Sequence, residues 1–163
     1  MSDPVRIAFV CLGNICRSPT AKGVMQHLVD AGQVGDRVVV DSFGTAGYHI
    51  GEPPDRRAQA EARGRGITLD HRGQQFTSGD FDRFDLVLAM DHANVRDLRR
   101  IAPDDESAAK VRLLREWDPE ANGDLEVPDP YYGGEDGFAK VFDLVERSCR
   151  TLLAELTDDV GAR

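Results

Sequence analysis

The chain has 163 residues, of which 40% are hydrophobic and 30% charged, as is typical of one soluble globular domain with a hydrophobic core. Its formal net charge of −9 argues against a nucleic-acid-binding protein, which needs a basic face to neutralise phosphates. No apolar run approaches the roughly 18 residues of a membrane span, and the N-terminus lacks the basic start and apolar run of a secretory signal. We therefore expect one domain over residues 1–163, located in the cytoplasm or exported without a signal peptide.

Apolar runs alternate with amphipathic stretches, which is the pattern of an α/β domain built on a parallel sheet. In chain order, the sequence predicts a strand over 5–10, a helix that begins near Ser18, a strand over 38–40, a helix over 56–65, a strand over 85–90, a helix over 94–101 and a strand over 111–114. In the last helix, hydrophobic residues recur at spacings of three and four from Phe138 to Leu156, which predicts one buried face. Cys149 lies on that face, so we interpret it as a core thiol.

The segment between the first strand and the first helix carries the strongest functional signal. It reads Cys11-Leu12-Gly13-Asn14-Ile15-Cys16-Arg17-Ser18-Pro19. Ser18 and Pro19 predict a helix start, with Ser as the N-cap and Pro at the first helical position. The preceding loop would then direct free amides and the positive end of the helix dipole at one point, as an anion site requires. Gly13 and Asn14 suit the left-handed backbone angles that gather amides into such a nest.

The polar side chains of this loop suit phosphoryl transfer. Cys11 beside a positive helix end is expected to be a thiolate at neutral pH. Arg17 presents a planar fork of donors that matches two phosphoryl oxygens, and the Ser18 hydroxyl can donate to the sulfur when the sulfur leaves. The reaction also needs an acid for the leaving oxygen, and Asp129, held between two prolines, is the candidate. Cys11, Arg17 and Asp129 are therefore the predicted catalytic residues.

Other interpretations of the cysteines are weaker. Cys11 and Cys16 as zinc ligands would need a second Cys/His pair nearby, which the sequence lacks. As structural thiols they would leave the order of strand, glycine loop, Arg and Ser-Pro unexplained. An odd count of three cysteines indicates reduced thiols and no disulfide framework. We predict no metal and no cofactor.

The chain resembles the low-molecular-weight protein tyrosine phosphatases, of the actinobacterial type, over essentially its whole length. The matching pieces are the loop at 11–19, Ser42-Phe43-Gly44-Thr45, Asp70-His71-Arg72, Met90-Asp91 and Asp129-Pro130-Tyr131-Tyr132. The resemblance implies a three-layer α/β sandwich with a four-stranded, twisted parallel sheet flanked by helices and a phosphate-binding loop after the first strand. It also implies hydrolysis of phosphotyrosine and aryl phosphates through a phosphocysteine on Cys11, with Asp129 as general acid and then general base.

The resemblance also implies a substrate pocket and its support. The substrate-binding residues would be Leu12, Gly13, Asn14, Ile15, Cys16, Ser18, Tyr48 and Tyr131. Tyr48 and Tyr131 would wall a slot too deep for phosphoserine, although from the sequence alone Tyr48 is equally an exposed loop aromatic. Related protein-arginine phosphatases typically carry Thr at the position of Ile15. A hydrogen-bonded support for the loop would come from Asn14, Ser42 and His71.

Two residues depart from the family pattern. Lys22 stands where relatives often have Glu, and Phe43 replaces a small residue after the supporting Ser. Tyr131 and Tyr132 match sites that kinases modify in some relatives. As partners the resemblance implies phosphotyrosine-containing proteins, with inorganic phosphate as product and inhibitor. We expect a monomer that binds neither nucleic acid nor membrane.

Three rival functions remain to be weighed. An arsenate reductase of the same fold needs further cysteines after the third strand, and that stretch has none. A non-catalytic phosphotyrosine-binding module would need Arg17 but neither Cys11 nor Asp129. A cysteine protease would leave Arg17 unexplained. Within the phosphatase interpretation, Cys16 is close enough in sequence to form a reversible disulfide with Cys11 under oxidation.

Overall fold

Strands and helices alternate along the chain in the computed structural model, which describes residues 3–131, 134 and 136–161, with side chains up to residue 157. The elements are β1 (Val5–Cys11), α1 (Arg17–Gly32), β2 (Val38–Gly44), α2 (Arg56–Gly64), β3 (Leu86–Ala89), α3 (His92–Ile101), α4 (Asp105–Ala109), β4 (Val111–Leu113) and α5 (Asp136–Gly161). Short 3₁₀ turns cover Ser78–Arg83 and Leu114–Trp117. Tyr132 and Gly133 of the predicted acid loop lie outside the described residues.

The four strands form one parallel sheet in the order β2-β1-β3-β4, as the resemblance implied. Strand β1 is central, and its side chains alternate between two hydrophobic cores. Ile7 and Phe9 face the core shared with α1, α2 and α5, whereas Ala8 and Val10 face the core on the α3 side. The helices therefore cover both faces of the sheet, which confirms the predicted three layers.

Phe43 has a structural role in the second core. Its ring lies 5.2 Å from the centroid of Phe76 and 5.4 Å from that of Phe84, with edge-to-face geometry in both pairs. Phe43 is 2% exposed, so the large residue after Ser42 fills the space between the sheet and the 3₁₀ turn that begins at Ser78. This departure from the family pattern is thus an adjustment of packing.

The predicted role of Ser18 as the N-cap of α1 was wrong. The helix begins at Arg17, its N-cap is Cys16, and no side chain caps it. Ser18 and Pro19 lie within the first turn. The Ser18 hydroxyl is completely buried and contacts Cys11 and the Phe43 carbonyl oxygen, because these tertiary partners replace the local amides that a capping serine would bind.

Other boundaries differ by a few residues. Strand β2 extends to Gly44, because pairing with β1 continues to the Cys11–Gly44 register. Helix α3 begins at His92, since the Asp91 carboxylate accepts a hydrogen bond from the Asn94 amide and caps it. Helix α5 confirms the predicted buried face, and Cys149 is completely buried within it. No helix in the described residues is both long enough and apolar enough to cross a bilayer.

Candidate active site

The loop between β1 and α1 is held by hydrogen bonds to its carbonyl groups. Three amides from two neighbouring segments donate these bonds: Thr45 N to Cys11 O at 2.8 Å, Ala46 N to Leu12 O at 3.0 Å, and Asp55 N to Ile15 O at 2.8 Å. Within the part of the chain that the structure describes, the amides of Gly13, Ile15 and Cys16 donate to no protein acceptor. Unpaired amides at the start of a helix form an anion site, so the loop can bind a phosphoryl group.

Asn14 is central to the shape of this loop. Its backbone is left-handed, with φ of 59°, and its amide lies 3.3 Å from the Cys11 sulfur. Its side-chain oxygen accepts from His71 Nε2 at 2.8 Å and from the Gln74 amide at 2.9 Å. Its side-chain nitrogen donates to Ser42 Oγ at 2.6 Å and to Ser18 Oγ at 2.8 Å. A glycine would tolerate the same backbone angle but could make none of these four bonds.

His71 is held in one tautomer by Lys22. The Lys22 ammonium can only donate, so His71 Nδ1, at 3.0 Å, accepts, and the ring proton sits on Nε2, where it is donated to Asn14. Burial, followed by the charge of Lys22, lowers the pKa of His71 to about 4, against the opposing effect of Asp41 and Asp70. The ring is therefore neutral at pH 7. Lys22 also pairs with Asp41 at 3.4 Å, which gives this family departure a defined role.

The Cys11 sulfur is almost completely buried at the bottom of the loop. Ser18 Oγ lies 3.0 Å from it and 3.1 Å from the Phe43 carbonyl oxygen. The single hydroxyl proton can serve only one of these acceptors at a time. When the sulfur is a thiolate, donation from Ser18 and from the Asn14 amide stabilises its charge.

Arg17 is buried and rigidly oriented. Its NH1 donates to Asp91 Oδ2 at 2.6 Å and to the Val127 carbonyl oxygen at 3.0 Å. Its NH2 lies 3.7 Å from Asp129 Oδ2. Burial disfavours the charged form, but Cys11, Asp91 and Asp129 outweigh burial and raise the pKa of Arg17. With NH1 occupied, the edge formed by Nε and NH2 is left to bind two oxygens.

The pocket above Cys11 has a volume of about 200 Å³. Its lining comprises Cys11, Leu12, Gly13, Ile15, Cys16, Arg17, Tyr48, His49, Asp129 and Tyr131. The side chains of Asn14 and Ser18, which were predicted among the substrate-binding residues, instead lie beneath the loop with Ser42 and His71. Tyr48 is 72% exposed and Tyr131 39% exposed, so both stand at the mouth.

Asp129 lies at the mouth of the pocket. Its side chain is 37% exposed, and Oδ1 accepts a hydrogen bond from the Tyr131 amide at 3.0 Å. Oδ2 faces Arg17. A carboxyl group at the mouth of the pocket can donate a proton to the oxygen of a leaving group.

Cys16 and Cys149 differ from Cys11 in their surroundings. Cys16 is 5% exposed, and burial, followed by the negative charge of Asp55, raises the pKa of its thiol. Burial raises the pKa of the Cys149 thiol as well. All three cysteines are free thiols. The proposed disulfide between Cys11 and Cys16 stays a prediction.

Sequence reasoning missed several residues around the site. Asp91 was noted only as part of a matching dipeptide, although an aspartate directly after a strand at the carboxyl edge of the sheet is a recognisable signal. His49 lines the pocket and Gln74 binds Asn14, but neither has a signal in the sequence. No group of three His, Cys, Asp or Glu side chains among the described residues could hold a metal ion.

Comparison with known proteins gives a consistent result. The family model for low molecular weight phosphotyrosine protein phosphatase matches residues 6–162. A low molecular weight protein-tyrosine-phosphatase of Streptomyces coelicolor is 49% identical over 159 residues, or 97% of each chain. The human low molecular weight phosphotyrosine protein phosphatase is 43% identical over 148 residues, covering 90% of this chain and 92% of the human one. A crystal structure of a protein tyrosine phosphatase from Entamoeba histolytica, with Hepes in the active site, superposes with a TM-score of 0.89 at 36% identity and covers 95% of this chain and 98% of that chain.

Proposed function

The chain belongs to the low molecular weight phosphotyrosine protein phosphatase family, and from that premise we propose that Cys11, Arg17 and Asp129 carry out the hydrolysis. The main support for this proposal is that the three residues line one pocket. The sulfur of Cys11, the free edge of Arg17 and the unpaired loop amides all face the place where a phosphoryl group would sit, and Asp129 stands at its mouth.

In the first step, the Cys11 thiolate attacks phosphorus in line with the ester oxygen. The S–P bond forms as the P–O bond breaks, and Asp129 gives its proton to the departing phenolate. Arg17 and the loop amides stabilise charge on the three equatorial oxygens throughout. Because these donors are fixed before the substrate arrives, little reorganisation is needed in the transition state.

In the second step, a water molecule attacks the phosphocysteine. Asp129, now a carboxylate, takes a proton from that water, and the S–P bond breaks to release inorganic phosphate and the thiolate. The Ser18 hydroxyl, 3.0 Å from the sulfur, stabilises the leaving thiolate. Inorganic phosphate fits the same donors and should therefore compete with substrate as a product inhibitor.

The depth and lining of the pocket favour an aryl phosphate. The Cys11 sulfur is buried, while Tyr48 and Tyr131 stand at the mouth, so a substrate must place its phosphate beyond two aromatic side chains. The planar phenyl ring of phosphotyrosine spans this distance and can stack on both, whereas phosphoserine is too short. We propose phosphotyrosine-containing proteins as substrates, and a monomeric enzyme that acts in the cytoplasm.

Two rivals have less support. An arsenate reductase of this fold would need resolving cysteines in the stretch after β3, which has none, and Cys149 is completely buried in the core. A pure binding module would have no use for an ordered carboxylate at the mouth. Tyr131 and Tyr132 stay candidate phosphorylation sites.

The test is metal-free hydrolysis of p-nitrophenyl phosphate and of phosphopeptides by the parent, Cys11→Ser and Asp129→Asn proteins. We expect no turnover with Cys11→Ser and a loss of about 10²–10⁴-fold in the rate with Asp129→Asn. Cys149→Ala and Asp82→Asn, which change residues outside the pocket, serve as controls. A parent that prefers phosphoarginine or phosphoserine peptides would contradict the proposed substrate, and an active Cys11→Ser protein would contradict the mechanism.

A further inference from the structure

The loop that carries Asp129 is held by a side chain from a different part of the chain. Arg57, in the first turn of α2, donates from NH2 to the Tyr131 carbonyl oxygen at 3.3 Å. Its guanidinium carbon lies 5.5 Å from the centroid of the Tyr131 ring and 4.7 Å from that of Phe138, at the start of α5. One cation thus contacts Tyr131 through both its backbone and its ring.

The same guanidinium is connected to the phosphate-binding loop. Asp55 accepts from Arg57 Nε and NH2, each at 3.1 Å, which is the bidentate geometry that fixes a guanidinium most firmly. The Asp55 amide in turn donates to the Ile15 carbonyl oxygen at 2.8 Å. A continuous set of contacts therefore runs from the phosphate-binding loop through Asp55 and Arg57 to Tyr131.

Tyr131 is the residue that orients the acid. Its amide donates to Asp129 Oδ1 at 3.0 Å, which leaves Oδ2 turned toward Arg17 and the pocket. A shift of the Tyr131 backbone would move this donor and rotate the carboxyl group. Small misplacements of a catalytic group are costly, because proton transfer needs a heavy-atom distance of roughly 2.6–3.2 Å.

We propose that Arg57 is a positioning residue, which fixes the distance and orientation of Asp129 relative to the phosphate-binding loop without touching the reacting atoms. The proposal rests on the proposed role of Asp129 as general acid. An isolated ion pair on the protein surface contributes little to stability. Arg57 differs because its bidentate pairing, its bond to a backbone carbonyl and its two aromatic contacts act on one guanidinium.

Leaving groups that differ in basicity give the decisive test. A phenolate as basic as that of tyrosine, with a pKa of about 10, needs protonation as it departs, whereas p-nitrophenolate needs it much less. We expect Arg57→Ala to lower kcat/KM for phenyl phosphate about tenfold or more and to change kcat/KM for p-nitrophenyl phosphate by less than about threefold. Arg57→Lys keeps the charge but loses the bidentate fork, so its kcat/KM for phenyl phosphate should lie between those of the parent and of Arg57→Ala. Arg56→Ala is the matched control, because Arg56 is an exposed neighbour that makes no ion pair with any described residue.

A double-mutant cycle separates positioning from other roles. If Arg57 acts through Asp129, then Arg57→Ala in the Asp129→Asn background should change kcat/KM for phenyl phosphate by less than about twofold. An equal loss for both substrates, or a full additional loss in the Asp129→Asn background, would overturn the proposal and indicate a role in substrate binding or loop stability. If Asp129→Asn alone leaves phenyl phosphate hydrolysis unchanged, the assignment of the acid fails first and the positioning role fails with it. Urea unfolding of each variant establishes that the comparison is made between folded proteins.

Discussion

Acidification should weaken the folded state through His71 before most carboxylates are protonated. The ring is neutral in the folded protein, because burial and the Lys22 ammonium lower its pKa to about 4, whereas an unfolded histidine titrates near 6.5. Between these values the unfolded chain binds a proton that the folded chain does not. The stabilising effect of keeping His71 neutral is therefore complete above pH 6.5 and is lost as the pH falls toward 4.

The size of this effect follows from the two pKa values. A difference of about 2.5 units corresponds to roughly 3 kcal/mol of unfolding free energy once the pH is below both values. At pH 5 the expected loss relative to pH 7 is about 2 kcal/mol.

Urea unfolding at pH 7 and pH 5 measures the loss, and the contribution of His71 is isolated by comparison with His71→Gln. Glutamine can still donate to Asn14 but does not titrate, so this variant should be less stable at pH 7 yet lose about 2 kcal/mol less on acidification. Lys22→Met should raise the pKa of His71 and reduce the loss. His92→Gln changes an exposed histidine and should behave like the parent. Equal losses for parent and His71→Gln, or an NMR titration of the His71 ring centred near 6.5, would refute this reasoning.

Three further substitutions test the packing and geometry of the site. A Cβ at Gly44 would lie 2.8 and 2.9 Å from two backbone carbonyl oxygens. Gly44→Ala should therefore lower the free energy of unfolding in urea by about 1–3 kcal/mol and reduce activity. Gly79→Ala is the control, because a Cβ there would have no atom within 4 Å and should change neither quantity. Phe43→Ala should lower the free energy of unfolding by about 3–5 kcal/mol in the same assay, because it leaves a cavity at the centre of an aromatic cluster. A loss below about 1 kcal/mol would contradict that packing. Arg17→Lys keeps the charge but loses the fork that binds Asp91 and that, in the proposed mechanism, binds two phosphoryl oxygens. We therefore expect kcat to fall on the order of 10²–10³-fold, and a kcat near that of the parent would exclude bidentate binding.

The fold was predictable because its signals are periodic and local. Four apolar runs gave the strands, and the spacing of Phe138, Val145 and Leu152 gave the buried face of α5. The N-cap of α1 was mispredicted because the Ser-Pro pattern considers only nearby amides, whereas the Ser18 hydroxyl contacts groups on β1 and β2. The expectations of one domain and of a monomer stay predictions.

The sequence allowed the residues that line the pocket to be proposed, whereas most of the contacts that hold them in place could not be predicted from it. The phosphate-binding loop is contiguous, so its residues could be interpreted together. The contacts that orient it join distant residues: Arg17 with Asp91, and Arg57 with Tyr131. Each pair is 74 positions apart, and no local pattern marks either one. Lys22 was recognised as unusual, but its bond to His71 depends on how α1 packs against the segment before the 3₁₀ turn at Ser78.

Trapping the covalent intermediate is the most direct test of Cys11 as the nucleophile. Asp129→Asn protein should be mixed with excess p-nitrophenyl phosphate, quenched in acid within the first turnover and digested for mass spectrometry. We expect one added phosphoryl group on the peptide containing residues 11–17, located by fragmentation on Cys11 and not on Cys16, together with a p-nitrophenol burst equal to the enzyme concentration. No adduct should form with Cys11→Ser. A phosphoryl group on any other residue, or an unmodified enzyme that still turns over, would contradict this role of Cys11.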